Sequence, residues 1–389
     1  MLLALFGSAL ALRPQLVGVG PLIPEIQDDL DVSHAVAGLL GTIPVLCMGL
    51  FAPPAPHLAR LLGTRRAIAL CLAGIASFGL ARALVPSAAG VILLTFGVGV
   101  GMGLAGALFP VAVKERFEDR PAFATGVYAS GLNLGSALSA ALAVPLAHVL
   151  FGWRAALVVF SVFTWGLVLL WLLQTRGGAR HERSALRPPR LPLRSHVAWV
   201  LVAVFGLMGT VFYGLNAWLP DAYVEEGWSE GSAGALVAVL NVVSVPAALV
   251  APWFADRIGS RRAYLCGSSA LLLVALVGAI LVPPGGYLWA TLMGLGIGCL
   301  FPLVLTLPLD AARSPAEVGA VAGLMLGAGY ALAAISPFAL GAVRDATGSF
   351  TASFWLIIGA SALLFAFCLP LSRERLHRAA QAHAVTIAP

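Results

Sequence analysis

Apolar residues run along this chain in unbroken blocks, separated by short polar stretches. They neither alternate nor keep to one helical face. Blocks of about 20 residues match the hydrocarbon thickness of a bilayer crossed by a helix. Windows of that length predict twelve transmembrane helices, over 2–24, 36–58, 66–84, 89–113, 122–146, 153–174, 196–219, 232–254, 263–282, 286–309, 318–342 and 350–371. A β-barrel does not fit, because its strands are about 10 residues of alternating polarity. The first block lacks a basic leader and carries Arg13 at its centre, so it reads as a retained helix rather than a signal peptide.

Composition strengthens this picture. The chain is 60% hydrophobic and 10% charged, against about 45–50% and about 25% in soluble domains. Its 43 glycines and 25 prolines would suggest disorder in a polar chain, but within apolar blocks both are tolerated by membrane helices. Cys47, Cys71, Cys266, Cys299 and Cys368 all lie in apolar runs without paired spacing. They read as small packing residues, with no disulfide framework and no metal site.

The 389 residues carry a net charge of +6, and its placement matters more than its size. Nineteen of the 23 basic residues fall beside or within alternate connections, at 59–65, 114–121, 175–195, 255–262 and 310–317, and in the tail from Ser372. The opposite side carries Glu25, Asp28, Asp29, Asp31, Asp221, Glu225, Glu226 and Glu230. The positive-inside rule then makes the basic side cytoplasmic and puts both termini inside an inner (cytoplasmic) membrane. The basic balance is a topology signal, and no nucleic-acid partner is needed to explain it. Arg13, Arg82, Arg154 and Arg344 are the exceptions.

The two halves of the chain repeat each other. At an offset of 196, Pro24-Glu25 falls on Pro220-Asp221, Gly38 on Gly234, and the stretch from Ala59 to Arg66 on that from Ala255 to Arg262. At 192, Phe109-Pro110 falls on Phe301-Pro302, Gly131 and Gly135 fall on Gly323 and Gly327, and Pro145 on Pro337. The predicted organisation is an all-α membrane protein of two pseudo-symmetric six-helix bundles, 1–174 and 196–371. A cytoplasmic linker over 175–195, rich in Arg, Pro and Gly, joins them, and a cytoplasmic tail covers 372–389. Such parallel repeats are the plan of the major facilitator transporters, whose substrate sits near the bilayer midplane between the halves.

Arg13 stands apart. It lies about 16 Å from either end of its span at 1.5 Å per residue, too deep to snorkel comfortably. A central arginine raises the insertion free energy by at least about 2.5–3.5 kcal/mol. No Asp or Glu falls at mid-depth in the twelve spans to neutralise it, so its expected partner is an anionic or strongly dipolar substrate. The plainer alternative is a bracing role on backbone carbonyls. Tyr128, Asn133, Phe212, Tyr213, Asn216, Asn241 and Tyr330 lie at mid-depth and are candidates to complete the pocket. Asn and Tyr both donate and accept, which suits a small polar solute, although each alone is commonly a helix–helix bond.

Two turns invite a gating reading. Gly63-Thr64-Arg65-Arg66 and Gly259-Ser260-Arg261-Arg262 each combine a glycine, suited to reversal, with arginines suited to helix C-termini and lipid headgroups. Asp256, Arg257, Arg261 and Arg65 are candidates for a conformational gate. Arg60 stands where Asp256 falls, so the gate would be asymmetric. A merely solvated turn is the alternative.

Several chemistries are not indicated. The seven histidines lie in loops, at span ends or in the tail, so no intramembrane proton relay is visible. The Gly97–Gly103 run sits inside a span and reads as a packing face rather than a nucleotide loop. With no nucleophile–base pair or metal set, an enzyme is not expected. Neither is a cofactor.

Leu12-Arg13-Pro14, followed by Gly20-Pro21-Leu22-Ile23-Pro24-Glu25-Ile26, resembles the first helix of the CynX/NimT family of major facilitators, the cyanate and 2-nitroimidazole permeases. The stretch Thr125–Gly135, with Pro145-Leu146 and Gly152–Leu157, resembles that family's fifth helix and the segment after it. Pro56-His57-Leu58-Ala59-Arg60 resembles its departure from the usual acidic facilitator motif. The resemblance implies transport of compact solutes, often anions or nitro compounds. The expectation is a monomeric secondary transporter of a small anionic or strongly polar solute, alternating access around Arg13. A drug or metabolite exporter of the same fold is the alternative, and a non-transporting membrane receptor or scaffold is a remote one.

Overall fold

A computed structural model describes residues 2–117, 121–175, 191–258, 261–311 and 315–371. The first half contains α1 (Leu2–Leu10), α2 (Pro14–Val17), α3 (Ile23–Leu30), α4 (His34–Leu50), α5 (Ala55–Leu62), α6 (Thr64–Leu84), α7 (Ala88–Arg116), α8 (Pro121–Val149) and α9 (Trp153–Gln174). The second contains α10 (His196–Glu225), α11 (Glu230–Ile258), α12 (Arg261–Leu281), α13 (Gly286–Ala311), α14 (Pro315–Thr347) and α15 (Phe350–Cys368). No strand occurs among the described residues.

Eleven helical segments are long and apolar enough to cross a membrane, and α4 adds a shorter apolar helix. The hydrophobic blocks thus become helices, punctuated by local chemistry. Ser33, Ser87 and Ser195 cap α4, α7 and α10, each accepting a hydrogen bond from the amide three residues on. Gly63 takes a φ of 78° between α5 and α6, a reversal that a side chain would strain.

Two expected spans are corrected. The span predicted over 36–58 stops at Leu50; a turn carrying Pro53 and Pro54 follows, then the separate α5. The span predicted over 2–24 extends to Leu30 and is interrupted, being built from α1, α2, a 3-10 turn at Gly20–Leu22, and α3.

Two seams join the halves, α4 against α14 and α8 against α11. On the first, Gly38 and Gly41 lie directly against Pro337. At the start of the 3-10 turn, Gly20 lies so close to the Asn216 carbonyl of α10 that a methyl group there would collide with it. The first span therefore packs on α8 and α9 of its own half through α1, and meets the second half from α2 through the 3-10 turn to α3.

Candidate functional site

The first break has a backbone cause. The amides of Leu12 and Arg13 reach back only three residues, to the Ala9 and Leu10 carbonyls at 3.2 and 3.3 Å. Pro14 has no amide to continue the ladder. Arg13 precedes α2 in a near-helical conformation, and its side chain leaves the span at mid-depth.

Arg13 is 7% exposed, and its Nε and Nη1 have no hydrogen-bond partner. The titratable groups around Tyr330 are Tyr213, Arg13 and Tyr128. Aromatic contacts extend the cluster: Tyr330 meets Phe205 edge-on at 5.0 Å and Tyr213 at 6.5 Å, Phe212 meets Tyr213 at 5.1 Å, and Tyr128 stacks on Phe109 at 5.9 Å. The Tyr213 hydroxyl reaches Met48 Sδ on α4 at 3.9 Å. A buried guanidinium with free donors beside three phenols is an environment for a compact anion. Beyond it, a narrow crevice between the halves is lined by Leu16, Val17, Gly20, Gly41, Tyr213, Asn216 and Ala217, among others.

The sequence candidates therefore separate. Arg13, Tyr128, Tyr213 and Tyr330 come together, with Phe212 behind Tyr213. Asn216 lines the crevice, but its amide is engaged: Nδ2 donates to the Phe212 carbonyl, and Oδ1 accepts from Asn241 Nδ2 at 2.9 Å. Asn241 is 1% exposed and also donates to the Val237 carbonyl. Together they form a helix–helix bond. Asn133 is partly buried. At 3.6 residues per turn it falls on the side of α8 opposite Gly131 and Gly135, which pack on the Phe6 and Leu10 carbonyls of α1.

A second buried arginine lies behind the break. Arg82, on α6, is 1% exposed. Its Nη2 donates to the Gln15 carbonyl at 2.6 Å and to Gln15 Oε1 at 2.8 Å, and its Nη1 donates to Thr95 Oγ1 at 3.2 Å. Gln15 Nε2 donates in turn to Ser161 Oγ at 2.8 Å and to the Leu157 carbonyl at 3.3 Å. The remaining exceptions to the charge pattern have acidic partners: Arg154 pairs with Asp29 and Arg344 with Glu225, at 2.8 and 2.7 Å.

At the end remote from Leu2, polar contacts cross between the halves. The Asp345 carboxylate accepts the backbone amides of His34 and Ala35 at 3.0 and 2.8 Å, sitting on the N-terminus of α4. His34 Nδ1 meets Asp345 at 2.8 Å, and its Nε2 meets Asp221 at 3.6 Å. On the other seam His148 Nε2 meets Glu230 at 3.2 Å, with Glu25 close by in a partly exposed cluster. The Phe338 amide donates to Thr42 Oγ1 at 3.1 Å. These contacts tie the two halves together there.

Arg65 serves its own half. It donates to Thr175 Oγ1 at 2.9 Å and to the Leu172 carbonyl at 2.6 Å, capping the C-terminus of α9. The side chains of Asp256, Arg257 and Arg261 lie outside the described residues.

With this geometry in hand, comparison with known proteins is decisive. The Major Facilitator Superfamily profile matches residues 1–337. The chain belongs to that superfamily. It is 33% identical to the "Cyanate transport protein CynX" of Escherichia coli (strain K12), over 90% of this chain and 91% of that one. It is 31% identical to a "2-nitroimidazole transporter" of the same organism, over 94% of each. It is 29% identical to a "Probable nitrate/nitrite transporter NarK2" of Mycobacterium tuberculosis, over 89% of each. The crystal structure of a D-xylose-proton symporter superposes with a TM-score of 0.75 at 14% identity, covering 94% of this chain and 96% of that chain. That likeness establishes the shared fold. This facilitator is therefore a multi-pass membrane transporter of the cyanate and nitroimidazole permease type, and not an enzyme.

Sequence reasoning missed the Arg82–Gln15 network and the His34 clasp. Arg82 did signal itself, as a basic residue on the wrong side of the charge pattern. His34 gave no such signal, since its partners lie 187 and 311 residues away in the chain.

Proposed function

We propose that this facilitator moves a small anionic or strongly polar solute across the cytoplasmic membrane by alternating access, with Arg13 as its central contact. One observation carries the reading: a guanidinium buried at mid-depth, at a helix break between the halves, with Nε and Nη1 unpartnered. Leaving such donors dry is unfavourable by about 1–3 kcal/mol, more for a charged group, and an anion removes that penalty. The names of relatives point the same way, since cyanate, nitrate and nitrite are compact anions.

The phenols of Tyr128, Tyr213 and Tyr330 complete the coordination, and the apolar crevice excludes bulky cargo. On this reading the remote end is the outer face, closed by the clasps, and both termini are cytoplasmic. The protein works as a monomer, with the halves rocking about the site. Asp256, Arg257 and Arg261 remain the gate residues proposed for the inner face.

The test is uptake of labelled cyanate and nitrate into proteoliposomes, with ligand-induced thermal stabilisation alongside. Arg13→Ala is expected to weaken binding by about tenfold to a hundredfold, as for a charge-assisted hydrogen bond. Arg13→Lys is expected to recover only part of it, because a point charge replaces a fork. Folded Arg13→Ala protein that transports like wild type would overturn the assignment.

A further inference from the structure

We infer that Arg82 is a positioning residue for the charge site: through Gln15 it fixes the break of the first span and so holds the Arg13 guanidinium between the halves. The inference rests on Arg13 being the substrate contact.

The argument begins with the backbone. In a continuous helix the Gln15 carbonyl would accept the Val19 amide, but that amide goes to Leu16 instead, at 3.3 Å. A carbonyl left open at mid-membrane has no water to turn to. Arg82 supplies the missing donor, and the same Nη2 also takes the Gln15 side-chain oxygen. Gln15 is fully buried, so the joint is dry. From it the bonds run to Thr95 on α7 and to Leu157 and Ser161 on α9. The residues flanking Pro14 are thus treated oppositely. Gln15 is fastened to α6 and α9 directly and to α7 through Arg82, while Arg13 keeps two donors unpartnered toward the other half.

The second half shows that the six-helix plan needs no such joint. At the 196 offset, Arg13, Gln15 and Arg82 fall on Gly209, Val211 and Gly278. There α10 runs unbroken from His196 to Glu225. The joint occurs where the break and the central charge occur. Among the described residues no acid pairs with Arg82, and its acceptors on Gln15 and Thr95 are neutral. A fork that reaches Gln15 through Nη2 and Thr95 on another helix through Nη1 suits arginine and not lysine.

The test uses full-length protein in proteoliposomes, with cyanate and nitrate as probes. It compares Arg82→Lys, Arg13→Lys and the double variant. Arg82→Lys is expected to raise KM for the anion tenfold or more. The maximal rate per folded protein should stay within twofold, and the melting temperature near wild type. Because Arg82 acts through Arg13, adding Arg82→Lys to Arg13→Lys should change KM by less than twofold. The inference fails if Arg82→Lys leaves KM within twofold, if it lowers only the maximal rate, or if it raises KM equally in both backgrounds. Should Arg82→Lys not fold, Thr95→Val removes the Nη1 acceptor alone. It is expected to raise KM severalfold, and an unchanged KM in folded Thr95→Val protein also overturns the inference. Wild-type behaviour of Arg13→Ala would sink the transport site itself. A wild-type-like Arg82→Lys beside a defective Arg13→Ala sinks only the positioning role.

Discussion

The first and seventh spans occupy the same place in the two repeats and are built in opposite ways. The first is broken at mid-depth and carries Arg13 there, whereas α10 is one helix of 30 residues with Gly209 at the matching position. Gly209 lies against the Ala333 methyl, and the neighbouring Thr210 carbonyl accepts from Ser336 Oγ at 2.7 Å. Small-residue packing therefore suffices to seat this helix in its bundle. The first half gives up that arrangement for a charge and then needs Arg82 and Gln15 to secure the break. A symmetric fold thus carries asymmetric chemistry, and the asymmetry marks where cargo is handled on the proposed reading. Gly20 and Asn216 sharpen the point. They are equivalent positions at the 196 offset, and they touch.

The largest effect should come from stripping the joint from the broken span. Arg82→Ala leaves Gln15 and Thr95 acceptors buried and dry, at about 1–3 kcal/mol each. We expect a loss of several degrees in melting temperature and low yield. The counterpart Gly278→Ala brings a methyl against the Trp289 ring, which must tilt, but removes no hydrogen-bonding side chain and should shift the melting temperature less. Equal losses at the two positions would break the comparison. Next in size is Gly20→Ala, whose methyl meets the Asn216 carbonyl. The outer end then fails to close, and uptake by folded protein falls at least about tenfold, since overpacking of this kind is worth about 1–3 kcal/mol. Asn216→Ala keeps the backbone carbonyl that Gly20 meets and should spare closure.

Asp345→Asn comes third. It weakens the carboxylate on the α4 N-terminus by about 1 kcal/mol. Labelling of an Ala217→Cys thiol by an impermeant reagent from outside should then rise roughly fivefold. An unchanged rate would remove the clasp from the outer gate. Asn241→Ala should be mildest. A membrane hydrogen bond of this type is worth about 0.6 kcal/mol, so the melting temperature falls slightly and KM stays within twofold. A tenfold rise in KM would return Asn241 to the substrate.

The sequence made the spans legible because lipid demands long apolar runs, and those survive in one dimension. It made Arg13 legible for the same reason, as a charge where lipid forbids one. The breaks were partly written in Pro14, Gly18, Gly20 and Pro21, but Leu16, Val17 and Val19 kept the stretch apolar enough to read as a single helix. The division of the polar candidates was not legible. Asn216 and Asn241 look like pocket residues on their own helices and become a closed pair only when α10 and α11 pack. The His34 clasp needed the chain to bring α10 and α14 to the start of α4.

The clasp and the joint also differ in whether solvent ions reach them. His34 and Asp345 retain 20% and 27% side-chain exposure, and His148 and Glu230 are more open still. Arg82 has almost no access to solvent. At physiological ionic strength, screening acts over about 8 Å. It therefore weakens the His34 and His148 contacts between the halves without touching the joint at Arg82. On the proposed reading, external salinity tunes how readily the transporter opens to the outside, while the joint that seats Arg13 keeps its strength.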